Sequence, residues 1–292
     1  MNGTAYAKID KTLGASASYI AFRHGEISVD VYQKWVEGEG SMTMTSLNED
    51  QINLSARFPR DKHDFVRRVM SYCRSLDIIA DDRYDAEAAE QSLANVDAKY
   101  DHGSYMTYMF PEENALLYAI VRNLRPRRAA CMGSYYGYWA VAAKAAHPDM
   151  HITLLDVNPA VMDLAQKNFE NLGLAHDTAF IVGNAEDLAS SLGNIDLLIL
   201  DAEGPKSEEV PTDYRDKAIY YPLLKAALDI LAPDALVIAH NVILSNFTGG
   251  SYFEEKQRNY RGQYTKFLPL LREHFSYTVI DSTEGILIAR RH

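Results

Sequence analysis

The chain has 292 residues, of which 47% are hydrophobic, and its formal net charge is −11 at pH 7. This composition is ample for a packed core. The acidic balance argues against a nucleic-acid-binding surface and against docking on anionic membranes, both of which need clustered Lys and Arg. With only two cysteines and no signal-peptide or membrane-spanning pattern, the sequence predicts a cytoplasmic globular protein.

The first hundred residues predict helices. Apolar residues recur at helical spacing over 29–35 and 65–76, and 86–95 is rich in Ala, Glu and Gln. No strand pattern stands out in this region. We therefore expect residues 1–100 to form a helical appendage to a domain at 101–292, where it supplies a cover for the site, a homodimer surface, or both.

From residue 129 onward, short β-like runs alternate with helical patterns, which is typical of a parallel sheet wrapped by helices. The last two strands are joined by a short link and must therefore pair antiparallel. The sequence predicts an α/β fold with a doubly wound Rossmann-like sheet of five parallel strands and a C-terminal β-hairpin. The strands are expected at 129–132, 151–156, 178–183, 195–201, 235–239, 275–281 and 285–290, and the helices of this region at 138–146, 159–172, 186–192, 216–231 and 264–274.

A glycine-containing turn follows the first of these strands. Gly133 and Gly137 stand four residues apart, and Asp156 ends the next strand. Glycines at such a turn let the backbone approach a bound nucleoside, and an acid at the second strand end can accept hydrogen bonds from ribose hydroxyls. The third glycine of the dinucleotide pattern is absent. The expected cofactor is therefore one without a pyrophosphate, S-adenosylmethionine.

Polar residues also follow the fourth and fifth strands. Ligands of an open parallel sheet bind at the carboxyl ends of its strands, so Asp201, His240 and Asn241 should converge there. Three roles are open for His240. It can ligate a metal, act as a general base near neutral pH, or serve as a hydrogen-bonded structural residue. The long segment 244–262 is a candidate cover for the same site.

A set of motifs over residues 105–290 resembles the catechol and caffeoyl-CoA O-methyltransferases, which use S-adenosylmethionine and a divalent metal. The resemblance implies methyl transfer to the hydroxyl group of a small, aromatic acceptor, and the N-terminal helices are expected to make the protein a homodimer. The motifs are M-T-Y-M-F-P-E-E-N-A-L-L at 106–117, G-S-Y-Y-G-Y at 133–138, L-L-D-V-N-P at 154–159, V-G-N-A-E-D at 182–187, L-D-A-E at 200–203, A-H-N-V-I at 239–243 and E-G-I-L-I-A-R-R at 284–291.

The resemblance also implies roles for individual residues. Some of these residues would border the methionine part, the ribose and the adenine of the cofactor or shape the glycine turn around it. Three residues fall where the family places its Asp, Asp and Asn metal ligands. The implied cofactor residues are Met106, Tyr108, Gly133, Tyr135, Asp156, Ala185, Glu186 and Asp201, and the implied metal ligands are Asp201, His240 and Asn241.

Four positions depart from the family pattern. Cys131 stands where the family has Glu, Trp139 where it has Ser, and His240 where it has a second metal carboxylate. Gly204 stands where the family often has a catalytic Lys, and Lys206 follows two residues later, so Lys206 and His240 are the candidate catalytic residues. An imidazole ligand suits a transition metal better than Mg²⁺. The departures keep open a metal-independent N-methyltransferase with His240 as base, and a methyltransferase-like binding domain without catalysis.

Overall fold

A seven-stranded sheet forms the centre of the molecule. The computed structural model describes residues 4–40, 46–242, 254 and 265–292. The strands are β1 Arg128–Met132, β2 His151–Asp156, β3 Thr178–Val182, β4 Ile195–Leu200, β5 Leu231–His240, β6 Phe275–Ile280 and β7 Ile286–Arg291.

The strand order is β3-β2-β1-β4-β5-β7-β6. Strands β1 to β5 pair parallel, and β7 lies antiparallel between β5 and β6. The predicted fold, five parallel strands completed by a C-terminal hairpin, is confirmed. The strand order reverses between β1 and β4. Open α/β sheets bind their ligands in the crevice at the carboxyl ends of the strands beside such a switch point.

Alternate residues of each strand are buried on opposite faces of the sheet, as the two-residue period of a strand requires. In β1, Ala129 and Cys131 belong to one buried cluster, while Ala130 and Met132 belong to another. Helices therefore cover both faces. These helices are α5 Lys62–Ser75, α6 Ala86–Lys99, α7 Pro111–Leu124, α8 Tyr138–Ala146 and α9 Pro159–Asn171 on the first face, and α10 Ala185–Leu188, α11 Tyr220–Ala227 and α12 Phe267–His274 on the second.

The N-terminal part of the chain is helical where it is described, and its buried residues fall into two groups. Helices α1 Ala5–Leu13, α2 Ala17–His24, α3 Val29–Trp35 and α4 Glu49–Ser55 enclose a cluster of their own, which also takes in Phe110. Helices α5 and α6 instead share the cluster of the sheet. The buried clusters thus divide near residue 60, and the domain boundary at residue 100 stays a prediction.

One predicted helix is shorter than expected. The segment 216–231 contains two short 3₁₀ turns, Lys217–Ile219 and Leu228–Ile230, on either side of α11. Strand β5 then begins directly at Leu231 and not at 235. Its first part pairs with Ile195 of β4 across a register shift, and an irregular pairing of this kind leaves no alternating pattern in the sequence.

The two cysteines, Cys73 and Cys131, are both free and buried. Burial raises the pKa of each thiol, so both remain neutral and behave as small apolar side chains. Within the described ranges, none of the helices combines the length and the apolar character that crossing a bilayer demands.

Candidate active site

A cavity of about 520 Å³ opens at the carboxyl ends of the parallel strands. Its walls come from residues 106–109, from the turns after β1, β2, β3, β4 and β5, and from the segment leading into α11. Glu186 and Lys206, two of the residues singled out in the sequence, are not part of this wall. The predicted residues that line it are Met106, Tyr108, Gly133, Tyr135, Asp156, Ala185, Asp201, His240 and Asn241.

The turn after β1 has no room for a side chain at its first glycine. Gly133 has φ +74°, and a Cβ atom placed there would lie 2.2 Å from the Cα of Ala202. The amide groups of Gly133 and Ser134 donate to the carbonyl of Leu155 at 2.9 and 3.0 Å, which fixes the turn against β2. The Cα of Gly133 therefore packs directly against the turn after β4, and both turns line the cavity.

Asp156 is held in place by the backbone around it. Its Oδ2 accepts a hydrogen bond from the amide of Tyr135 at 2.8 Å, and its Oδ1 accepts one from the amide of Asn158 at 3.0 Å. A carboxylate has about four acceptor positions, so both oxygens keep capacity for ribose hydroxyls. Gly133 and Asp156 together fit the nucleoside part of S-adenosylmethionine.

The predicted adenine contacts separate in the structure. Asn184 caps α10 by accepting a hydrogen bond from the amide of Glu186 at 3.1 Å, and Ala185 faces the cavity. The Glu186 carboxylate instead accepts a hydrogen bond from the Tyr214 hydroxyl at 2.9 Å. Glu186 thus ties the segment before α11 to α10, and its predicted role beside the adenine stays a prediction.

The N-terminal helices support one wall of the cavity. The side-chain amide of Gln51, on α4, lies 3.3 Å from the Tyr108 hydroxyl and 3.7 Å from the Met106 sulfur. The amide of Ala5 donates to the carbonyl of Thr107 at 2.8 Å. The appendage therefore fixes the wall formed by residues 106–109, while the candidate cover at 244–262 lies outside the described residues except for residue 254.

His240 sits between two carboxylates at the end of β5. Its Nδ1 is 3.3 Å from Oδ1 of Asp201, and its Nε2 is 3.1 Å from Oε2 of Glu113. Burial by itself lowers the pKa of the imidazole, but the charges and hydrogen bonds of Glu113 and Asp201 outweigh it and raise the pKa to about 10. The two carboxylates thus favour the imidazolium form, in which both ring nitrogens are donors.

Glu113, on α7, is a site residue that the sequence did not single out. It is fully buried, and its Oε1 accepts hydrogen bonds from the Ser282 hydroxyl at 2.7 Å and from the Glu284 amide at 2.9 Å. Burial raises its pKa, but His240 and these hydrogen bonds outweigh it and hold the pKa below the usual range. The one signal for it in the sequence is a pair of acids opening an otherwise apolar helix.

Among the described residues, Lys217 is the lysine that lines the cavity. Its buried ammonium lies 3.1 Å from the carbonyl of Ala202, 3.3 Å from the Tyr220 hydroxyl and 3.6 Å from Oδ1 of Asp201. Lys206, in contrast, is 73% exposed and pairs with Glu203 at 3.1 Å. The sequence missed Lys217 because it lies in an irregular segment that periodicity assigned to a helix.

The three predicted metal ligands line one cavity, and their role as ligands stays a prediction. Both ring nitrogens of His240 lie within hydrogen-bond distance of carboxylates. The amide nitrogen of Asn241 donates to Glu284 at 3.1 Å, a contact that does not involve the carbonyl oxygen through which an asparagine ligates metals. Across the described ranges no group of three or more His, Cys, Asp and Glu side chains is arranged to hold a metal ion. The same geometry leaves His240 no free nitrogen with which to act as a base.

Comparisons with known proteins agree with this architecture. No protein-family model matches the chain. Over 162 residues it is 26% identical to the probable O-methyltransferase Rv1703c of Mycobacterium tuberculosis, an alignment covering 51% of this chain and 64% of that protein. Over 150 residues it is 25% identical to catechol O-methyltransferase of Mus musculus, covering 47% of this chain and 52% of that protein. The chain therefore spans between half and two thirds of the length of these relatives.

Among solved structures, the S-adenosylhomocysteine-bound methyltransferase PaMTH1 of Podospora anserina matches with a TM-score of 0.53 at 17% identity, covering 78% of this chain and 96% of that one. This likeness shows the fold, which is that of the Rossmann-like methyltransferases. The two sequence relatives confirm the resemblance to the O-methyltransferases that the motifs predicted.

Proposed function

We propose that this protein transfers a methyl group from S-adenosylmethionine to the hydroxyl group of a small acceptor. The observation that carries the proposal is the cavity at the switch point of the sheet, which Gly133, Asp156 and Asp201 all line. When bound, S-adenosylmethionine supplies an activated methyl group, and transfer of that group to oxygen leaves S-adenosylhomocysteine and releases the hydroxyl proton. The protein has to bind both reactants in one orientation, which can contribute about 7–11 kcal/mol in favourable cases.

We assign the described residues to two roles, binding of the cofactor and binding of the acceptor. The Gly133 turn and Asp156 hold the nucleoside, and residues 106–109, braced by Gln51, border the rest of the cofactor. Asp201 and Lys217 line the same cavity 3.6 Å apart, and we assign them to the acceptor. We propose an aromatic acceptor, since Tyr108 and Tyr135 line the cavity and give it aromatic surface beyond what borders the cofactor's nucleoside.

We expect Asp156→Ala to weaken binding of S-adenosylhomocysteine by at least about tenfold, because losing a hydrogen bond to a charged group costs roughly 1.5–3 kcal/mol. Isothermal titration calorimetry on the two proteins measures the difference. Asp163→Ala is the matched control, since Asp163 is exposed on α9 and takes no part in the cavity wall. Equal affinity of the folded Asp156→Ala variant and the wild type would contradict the assignment.

We further propose that the protein is a homodimer that uses the N-terminal helices as its interface. Ile20 on α2 and Val29 and Val31 on α3 are large apolar side chains that are exposed in the single chain. The two helices contact each other, and exposed apolar side chains on adjoining elements are typical of an interface. The free cysteines support our proposal of a cytoplasmic location.

Light scattering on the purified protein is expected to give twice the mass of one chain. Val31→Asp should lower that mass to a single chain, because a charge in an apolar interface is desolvated without a partner. Val182→Asp, at an exposed position of β3, is the control and should leave the mass unchanged. A monomeric wild type would refute the dimer without affecting the proposed methyl transfer.

A further inference from the structure

We propose that a second cavity, at the opposite end of the sheet from the candidate active site, binds the phosphate group of a small compound with an aromatic ring. The cavity has a volume of about 390 Å³ and lies between the end of α7, the start of α6 and the turn from α8 to β2. Its size is within the range of known small-molecule sites, about 300–1,000 Å³. The proposal is independent of methyl transfer, because the two cavities share no lining residue.

The charges around this cavity are mainly positive, although the whole chain carries a formal net charge of −11. The Nε of Arg83 donates to Oδ2 of Asp81 at 2.7 Å, so this arginine is already paired. The guanidinium groups of Arg122 and Arg125 have no carboxylate partner within the described ranges, and the Arg122 side chain donates only to the carbonyl of Ala146, at 3.4 Å. Two positive charges are therefore available to an anion. The arginines and the acid of the lining are Arg83, Arg122, Arg125 and Asp85.

His147, which also lines the cavity, shows the effect of these charges. Burial lowers the pKa of its imidazole, and the charges of Arg125, Lys144 and Arg122 lower the pKa further, against the opposing effect of Asp149. Neighbours that disfavour a positive charge on the ring create a positive potential there. A neutral imidazole keeps one N–H donor, so His147 can add a hydrogen bond to a bound anion.

A buried tyrosine gives an observation that does not depend on charge. Tyr118, on α7, lines the cavity although it is only 6% exposed. Its hydroxyl has no hydrogen-bond partner among the described residues. The hydroxyl of Tyr84, which lines the same cavity, lies 2.7 Å from Nδ1 of His63. A buried polar group costs free energy unless it is hydrogen bonded, and an oxygen atom of a ligand in this cavity would supply the partner that Tyr118 lacks.

The wall on the side of α6 is held in place by hydrogen bonds. The side-chain amide of Asn123, on α7, donates to the carbonyls of Asp81 and Arg83 at 3.1 and 2.8 Å. Asp85, the acid in the lining, caps α6 by accepting a hydrogen bond from the amide of Ala88 at 3.0 Å. The cavity is therefore formed before a ligand arrives, and little ordering of this wall is needed on binding.

The charge and the surface of the cavity together indicate a class of ligand. A guanidinium group can pair with two oxygens of one phosphate. A phosphate monoester carries a charge of about −1.5 to −2 near neutral pH, which matches two unpaired arginines better than the single charge of a carboxylate does. The rings of Tyr84 and Tyr118 and three alanine side chains supply apolar surface beside these charges. The ligand class is therefore a phosphate monoester of a compound with an aromatic ring.

Isothermal titration calorimetry of phenyl phosphate into the full chain tests the inference, in a buffer without phosphate or sulfate at about pH 7.5. The wild type is expected to bind one molecule per chain. Benzoate, with its single charge, and inorganic phosphate, which has no ring, should each bind at least about tenfold more weakly. Absence of phenyl phosphate binding would overturn the inference, and equal affinity for either comparison compound would overturn the ligand class.

Four variants test whether the phosphate binds in this cavity. Arg122→Gln and Arg125→Gln should each lower the affinity for phenyl phosphate at least about tenfold, and Tyr118→Phe about fivefold. Arg127→Gln is the matched control, since Arg127 is an exposed arginine of the same segment that does not line the cavity, and its affinity should stay within about twofold of the wild type. An equal loss in Arg127→Gln and Arg125→Gln would show a diffuse attraction by the basic segment, and unchanged affinity in both Arg122→Gln and Arg125→Gln would place the ligand elsewhere. Either result contradicts the proposed site.

Discussion

Glu113→Gln is expected to lower the free energy of unfolding by about 3–5 kcal/mol, the usual cost of removing one partner of a buried ion pair. Glu113 is 0% and His240 is 3% exposed, so the imidazolium left behind cannot turn to water. Glutamine keeps only one acceptor oxygen, so the variant also loses one of two sets of hydrogen bonds, either those from His240 and the Phe110 amide or those from Ser282 and the Glu284 amide. Denaturant unfolding followed by circular dichroism measures the difference.

Two further variants separate the ion pair from other effects. Glu170→Gln changes an exposed acid on α9 and should alter stability by less than about 0.5 kcal/mol. Glu113→Gln combined with His240→Leu removes both charges and should be more stable than the sum of the single changes predicts. A loss of less than about 1 kcal/mol for Glu113→Gln alone would show that the pair contributes little.

The pH dependence of stability follows from the raised pKa of His240. A group whose pKa rises from 6.5 in the unfolded chain to about 10 in the folded one stabilises fully below pH 6.5, and loses this contribution as the pH rises through about 10. Wild type should therefore lose stability relative to the Glu113→Gln, His240→Leu variant between pH 8 and 10. Glu112, whose pKa burial and Glu113 raise to about 7, has already titrated in that window.

Most of the sheet was predictable because its signals are local. The predicted strand at 151–156 and the predicted helix at 138–146 begin and end at the same residues as β2 and α8. The short link between the last two strands was enough to predict the antiparallel hairpin formed by β6 and β7. The Gly133 turn and Asp156 form part of the same local pattern, so half of the cavity could be predicted with the fold.

The chemistry of His240 could not be predicted in this way. Its protonation state depends on Glu113, which lies 127 residues away in the sequence and is brought to the ring by the packing of α7. Lys217 reaches Asp201 from an irregular segment, and Lys206, which is nearer in sequence, points to solvent. Residue types at a strand end therefore indicate a polar site, while the charge of that site is set by contacts between distant segments.

Gly133→Ala is expected to destabilise the protein by about 2–5 kcal/mol. The left-handed backbone at φ +74° costs an alanine roughly 1–2 kcal/mol, and overpacking adds about 1–3 kcal/mol because the new Cβ would lie 2.2 Å from the backbone of Ala202. Gly173→Ala is the matched control, since Gly173 has φ +70° and nothing within 4 Å of the added atom. It should show the backbone cost alone and keep its affinity for S-adenosylhomocysteine, which Gly133→Ala should lose as Ala202 is pushed into the cavity. Equal losses of stability in the two variants, measured by denaturant unfolding, would mean that the turn yields without moving Ala202.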